Sequence, residues 1–135
     1  MPQTTDSLTT DSDAGPVRLS LPASSRYLAA ARVVATSLGA ESGLSVDDLE
    51  DLRLGVNELV SLLVEAGAGA SGQRVELEFE TDGSSITVRG QRAGGAGAPM
   101  EVDELTARIV EAVADHHEID GTSFSLTKAS SIRGR

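Results

Sequence analysis

The chain has 135 residues, with 21 acidic and 11 basic side chains, a formal charge of −10 at pH 7, three aromatic residues and no cysteine. That length predicts one domain with a core of Leu, Val and Ala. The missing cysteine excludes disulfides, thiol nucleophiles and cysteine zinc sites and makes the cytoplasm the expected compartment. The acidic balance excludes a nucleic-acid surface, which needs clustered positive charge. No stretch is long and apolar enough to span a bilayer, so no membrane partner is expected.

Residues 1–15 are polar, acidic and rich in Ser and Thr, the composition of a disordered tail that cannot offset the cost of ordering. One folded domain is expected over residues 16–129, followed by a short C-terminal tail over 130–135. Val17, Leu19 and Leu21 alternate with Arg18 and Ser20 and predict a strand over 17–21 with one buried face. Pro22 stops it. Ser24 or Ser25 then caps a helix over 25–38, with Tyr27, Ala31, Val34 and Leu38 on one face.

Ser45 and Asp48 have the spacing of a capping box, with Asp for the usual Glu, and open a helix over 46–66. Leu49, Leu52, Val56, Leu59 and Leu63 recur at spacings of three and four, forming one apolar stripe. A second face carries Asp51, Leu54, Glu58, Leu62 and Glu65, so a carboxylate, Glu58, lies between two leucines one turn away on either side. The Gly-Ala run from Gly67 to Ala70 ends the helix.

Val75, Leu77 and Phe79 alternate with glutamates, and Ile86 and Val88 alternate with Thr87 and Arg89. With Asp82-Gly83 at the centre of a two-residue turn, strands over 74–80 and 85–90 pair Phe79 with Ile86, Leu77 with Val88, and Glu76 with Arg89. Gly90 to Pro99 reads as a mobile glycine-rich connection. It lacks the Lys-Ser/Thr ending of a phosphate-binding loop. Val102, Leu105, Ile109, Val113 and His116 predict a helix over 101–116, with three carboxylates in its first turn. A last strand is expected over 122–128. The order β-α-α-β-β-α-β predicts an α/β two-layer sandwich: a mixed, mainly antiparallel four-stranded sheet with three helices on one face.

Of the candidate chemistries, a metal site at His116-His117-Glu118 is set aside, because adjacent residues on a helix point about 100° apart and no third His or any Cys completes a shell. No serine sits in a strand-turn-helix elbow. No metal is expected.

Three segments carry a family resemblance: RLSLPASSRYLAAARVVATSLG, SVDDLEDLRLGVNELVSLLVEA and ELTARIVEAVADHHEIDGTSFSLTK. Together, over Val17 to Lys128, they resemble the RsbW-type anti-sigma regulatory factors of the ATP-binding GHKL superfamily. The marks are Ala31-Arg32, the run from Asp51 to Leu59, and Gly121-Thr122. The resemblance implies a protein that holds a sigma factor inactive and, in many members, phosphorylates a serine on a small antagonist protein. Residue by residue, Glu58 falls on the family's general-base glutamate and Leu62 on its Mg²⁺-holding asparagine. The adenine-recognising aspartate falls near Gly90, and Gly121 and Thr122 fall on the far side of the nucleotide pocket. Leucine has no oxygen to offer Mg²⁺, and no acidic residue occurs between Gly83 and Met100.

The resemblance therefore implies an anti-sigma-like regulator with a degenerate ATP site. It is expected to need no cofactor, to bind a sigma factor or its antagonist protein, and to keep Glu58 as a vestigial catalytic residue. ATP and Mg²⁺ belong only to the alternative reading, an active serine kinase. A partner-binding adaptor on the same fold is the third. The polar sheet face with Arg18, Glu76, Glu78, Arg89 and Ser125 is the expected surface for a homodimer. The acidic surface serves either solubility or a basic protein partner.

Overall fold

The computed structural model describes residues 15–67, 72–93 and 98–131. Of the tails expected over 1–15 and 130–135, residues 1–14 and 132–135 lie outside the described residues. Five strands, β1 (Val17–Pro22), β2 (Arg74–Thr81), β3 (Ser85–Ala93), β4 (His116–Asp120) and β5 (Ser123–Ala129), form one sheet in the order β1-β2-β3-β5-β4. Every pairing is antiparallel. Helices α1 (Leu28–Glu41, after a 3-10 turn at Ser25–Tyr27), α2 (Val46–Ala66) and α3 (Glu104–Val113) complete an α/β sandwich.

The expected two-layer architecture holds, but the sheet has five strands rather than four and contains no parallel pair. The extra strand, β4, takes the segment read as the end of the third helix. That helix stops at Val113, Ala114 is already extended, and Asp115 N–H donates to Thr127 O across the sheet (2.9 Å). The signal for this hairpin was Asp120-Gly121. Both hairpins share the pattern Asp-Gly-Ser/Thr-Ser, with Asp-Gly-Ser-Ser at 82–85 and Asp-Gly-Thr-Ser at 120–123. In each the central pair is Gly and the residue after it, with Gly83 at φ +93° and Gly121 at φ +60°, a conformation that disfavours other residues.

The first hairpin is consequently displaced by two residues from the expected register. Phe79 pairs with Val88, Leu77 with Gly90, and Glu78, not Glu76, with Arg89. Asp82 sits beside the turn rather than inside it, and its Oδ1 accepts from the Ser84 and Ser85 amides (3.0 and 2.9 Å). A shift of two leaves every side chain on its expected face. Strand β3 also runs on to Ala93, so Gly90 lies inside the sheet and not in a loop.

The core lies between the sheet and α2. Leu52, Val56, Leu59 and Leu63 are buried against Val75, Leu77, Phe79, Ile86, Val88 and Leu126. The capping box at Ser45 and Asp48 is formed in both directions. On α1 the fully buried line is Ala31, Ala35 and Gly39, beside the expected Tyr27, Val34 and Leu38. Small side chains let α1 approach α2 closely: a Cβ on Gly39 would come within 2.9 Å of Leu52 Cδ2.

Candidate functional site

Four elements meet at the C-terminal end of α2. Glu58 and Leu62 stand one turn apart on that helix and share it with Glu65. The face expected to carry Leu54, Glu58, Leu62 and Glu65 together is split. Leu54 is 42% exposed, whereas Leu62 is 8% exposed and belongs to the core cluster with Met100 and Phe124. Glu58 is half-buried between these limits. Thr106 Oγ1 of α3 lies 3.4 Å from Glu58 Oε1, a long hydrogen bond. Thr106 is held there because its own N–H donates to Asp103 Oδ1 (2.7 Å), the N-cap of α3. That bond keeps the Asp103 carboxyl below its ordinary pKa.

Gly90 is brought near this end by β3, but its surroundings are closed. A Cβ there would lie 2.5 Å from Phe124 Cε2 and 2.9 Å from Leu77 Cδ2, so the aromatic ring requires a glycine. Gly121 and Thr122 form the centre of the β4–β5 turn, and their carbonyls face inward as acceptors. Gly121 O accepts from Met100 N–H (2.9 Å) and Thr122 O from Arg92 N–H (3.1 Å). Arg92 packs beside Gly67 at the end of α2, where helix carbonyls favour a cation. Its Nη1 is buried without a hydrogen-bond partner among the described residues. A cleft of about 270 Å³ remains, lined by Leu62, Glu65, Ala66, Ala98, Pro99 and Glu101.

Leu62 offers no oxygen to a cation that demands oxygen ligands. Glu65 and Glu101 would repel phosphates. Gly90 has no carboxylate to read a base, and Phe124 covers the place where one would project. Met100 and Thr106 were not singled out by the sequence. Met100 follows Pro99 as the first large apolar residue after the glycine run, and that was the available signal.

A second site lies between α1 and α2. Arg32 Nη1 donates to Asn57 Oδ1 (2.7 Å), joining the helices beside a cleft of about 490 Å³ that also takes in Glu50, Asp51, Arg53 and Leu54. Val33 next to it is 61% exposed. The open sheet face forms a third. Arg18 bonds Glu78 (3.1 Å), and Arg89 bonds Glu80 (2.8 Å) with Glu78 at 3.8 Å. Glu118 and Asp120 of β4 line the same concave face, of about 580 Å³, with Gln91, Ser123 and Ser125.

His116 and His117 occupy successive positions of β4 and point to opposite faces of the sheet. No group of three His, Cys, Asp or Glu side chains able to hold a metal occurs among the described residues. No helix among them is long and apolar enough to cross a membrane.

The sequence matches a family model described as histidine kinase-like ATPase domain over residues 21–127. No curated protein sequence matches the chain. Among solved structures, the chain is similar to the RsbU and RsbW domains of Rv1364c from Mycobacterium tuberculosis, with a TM-score of 0.59 and 18% sequence identity. The match covers 87% of this chain and 32% of that one, so the likeness is one of fold.

Proposed function

The chain belongs to the histidine kinase-like ATPase domain family, and from that premise we propose that it is an anti-sigma-type regulator that works by holding a protein partner and without nucleotide. The partner is a sigma factor or the antagonist protein that relieves it, and the compartment is the cytoplasm. One observation carries the reading: the helical scaffold is intact, while the positions that would hold Mg²⁺ and adenine are occupied by Leu62 and by Gly90 beneath Phe124. Such a chain keeps a surface and loses a chemistry.

The holding surface in this reading is the α1–α2 face, where Leu54 is exposed in the cleft beside the Arg32–Asn57 bond and Val33 is exposed on α1 next to Arg32 in sequence. Apolar side chains left open beside a fixed polar pair suit a protein contact. The open sheet face serves a homodimer. Turning one copy over about an axis along β3 sets β1 of one against β4 of the other, so Arg18 meets Glu118 and Asp120.

Co-expression with each sigma factor of the host, followed by capture across a salt series and without nucleotide, tests the proposal. Retention of one sigma factor, weakening on Leu54→Asp, is the expected result. If none is retained and a sigma-dependent reporter is unchanged in a deletion strain, the adaptor reading replaces it. The kinase reading has one observation in its favour, Glu58 half-buried at the general-base position beside Thr106. Phosphate transfer to an antagonist, abolished by Glu58→Gln, would establish that reading and remove ours.

A further inference from the structure

Helix α3 carries more apolar surface than the core uses. The sequence predicts an inward stripe through Leu105, Ile109 and Val113, but in the fold the helix buries Val110 and Val113. Leu105 is 67% exposed, and Ile109 is half-buried and outside the core cluster. The two largest apolar side chains of α3 therefore form a second apolar face.

That face borders α2. Thr106 Oγ1 lies 3.4 Å from Glu58 Oε1, and a Cβ on Gly55 would lie 3.3 Å from Val113 Cγ2, so the two helices run in opposite directions along their contact. Around the axis of α3, buried Val110 lies to one side of the Thr106–Val113 line, and Ile109 and Leu105 lie to the other. They are thereby turned to the solvent side of the α2 contact. The facing wall is the outer line of α2, with Asp51, Leu54, Glu58 and Glu65 at spacings of three, four and seven. Leu54 and Glu65 are exposed on it. The groove between the helices thus has one apolar wall and one acidic wall.

We propose that this groove docks an amphipathic, basic helix of a partner protein. Apolar side chains one turn apart on that helix pack on Leu105, Ile109 and Leu54, and Lys or Arg side chains on its flank reach Glu58 and Glu65. This docking rests on the anti-sigma-type reading for its protein partner, and it carries the holding surface from Leu54 across α2 to α3. Ten residues of α3 span about 15 Å, which accommodates two to three turns of a third helix with apolar side chains at i, i+4 and i+7.

Charge selects this occupant. The one basic residue of α2, Arg53, is paired with Glu50 (3.8 Å), and the one basic residue of α3, Arg108, with Glu104 (3.2 Å). Asp51 already takes Lys128 (3.3 Å). Glu58 and Glu65 have no ion pair among the described residues. A second copy would bring a like-charged wall, and an anionic bilayer would be repelled in the same way. A basic helix gains from both walls at once.

A synthetic peptide of Leu, Ala and Lys, with Leu at i, i+4 and i+7 and Lys on one flank, probes the groove by fluorescence anisotropy with the full chain. A scrambled peptide of the same composition is expected to bind at least about tenfold more weakly. Leu105→Ser should weaken the patterned peptide by about tenfold or more, the loss of one buried leucine contact, with unfolding curves unchanged because the side chain is exposed. Glu65→Lys should weaken it by about threefold at low salt. No binding, equal binding of the scrambled peptide, or an affinity unchanged by Leu105→Ser overturns the proposal. Self-association of the free chain that Leu105→Ser abolishes would give the face to a second copy and overturn it too. The peptide assay needs no native partner, so failure to retain any sigma factor removes the anti-sigma reading and leaves the groove to the peptide. A sigma factor retained equally by the native chain and Leu105→Ser overturns the docking and leaves that reading standing.

Discussion

The two ends of α2 are built on opposite principles. At its N-terminal end polar groups do the fastening: Asp48, 3% exposed, accepts from Ser45 N–H, Ser131 N–H and Ser131 Oγ on one carboxylate oxygen. Ser130 adds bonds to Gly43 O and Ser84 O, and Lys128 reaches Asp51 (3.3 Å). At the C-terminal end the buried side chains of the described residues are apolar, with Leu62, Met100 and Phe124 in the core cluster. A directed network fixes one geometry, because each unpaired buried group is costly. Apolar packing is decided by shape and volume instead, because its contacts have no fixed direction.

The largest expected effect is at the closed end. Restoring an acidic residue by Gly90→Asp should cost at least about 4 kcal/mol, since its Cβ collides with Phe124 and Leu77 and its charge is buried. Denaturant unfolding measures it, and a well-folded Gly90→Asp protein would refute the packing described. Leu59→Ala, in the stripe shared by both ends, should cost about 2–5 kcal/mol in the same measurement.

Asp48→Asn comes next, at about 1–3 kcal/mol, because the amide returns at most part of the acceptor capacity that three donors use. Burial raises the Asp48 pKa, but the hydrogen bonds from Ser131 and Ser45 outweigh it and bring the value to about 2, from 3.8. A depressed pKa stabilises the fold fully above 3.8, and the contribution is lost as pH falls through the interval toward 2. Unfolding curves over that interval should show a steeper loss for the native sequence than for Asp48→Asn; equal slopes would contradict the assignment.

The smallest effects on stability should be the most informative for function. Leu54→Ala and Val33→Ala should change stability by less than about 0.5 kcal/mol, since both are exposed. Arg18→Ala should cost no more than about 1 kcal/mol, the range of an exposed ion pair. Loss of partner capture in the first two, with unfolding curves unchanged, would separate the holding surface from the scaffold. Gel filtration of Arg18→Ala tests the sheet face as a dimer contact in the same way.

Much of the fold was legible wherever a local period met a local stop. The stripe Leu52-Val56-Leu59-Leu63 and the Ser45–Asp48 box need only the helical repeat and a cap, and both are present as read. The registers were not legible. Placing Asp82-Gly83 at the turn centre ignored that an aspartate beside the turn can bond two amides, and this shifted the pairing by two. Strand β4 was missed because His116, His117 and Glu118 carry no apolar alternation; Ile119 alone marks its inner face. Glu58, Leu62, Gly90, Gly121 and Thr122 were named through the resemblance, residue by residue; Met100, whose N–H bonds Gly121 O, was not, because that contact joins segments distant in sequence.

By itself the sequence determined which faces are apolar and where α2 starts, because each follows from residue type and spacing along the chain; the other two helices begin three residues later than expected, at Leu28 and Glu104. Only the tertiary structure decided that Gly90 is a packing requirement, that Leu62 is buried while Leu54 is open, and that Met100 is buried. Those depend on which distant segments meet, and a contact between residues far apart in sequence leaves no period for the chain to display.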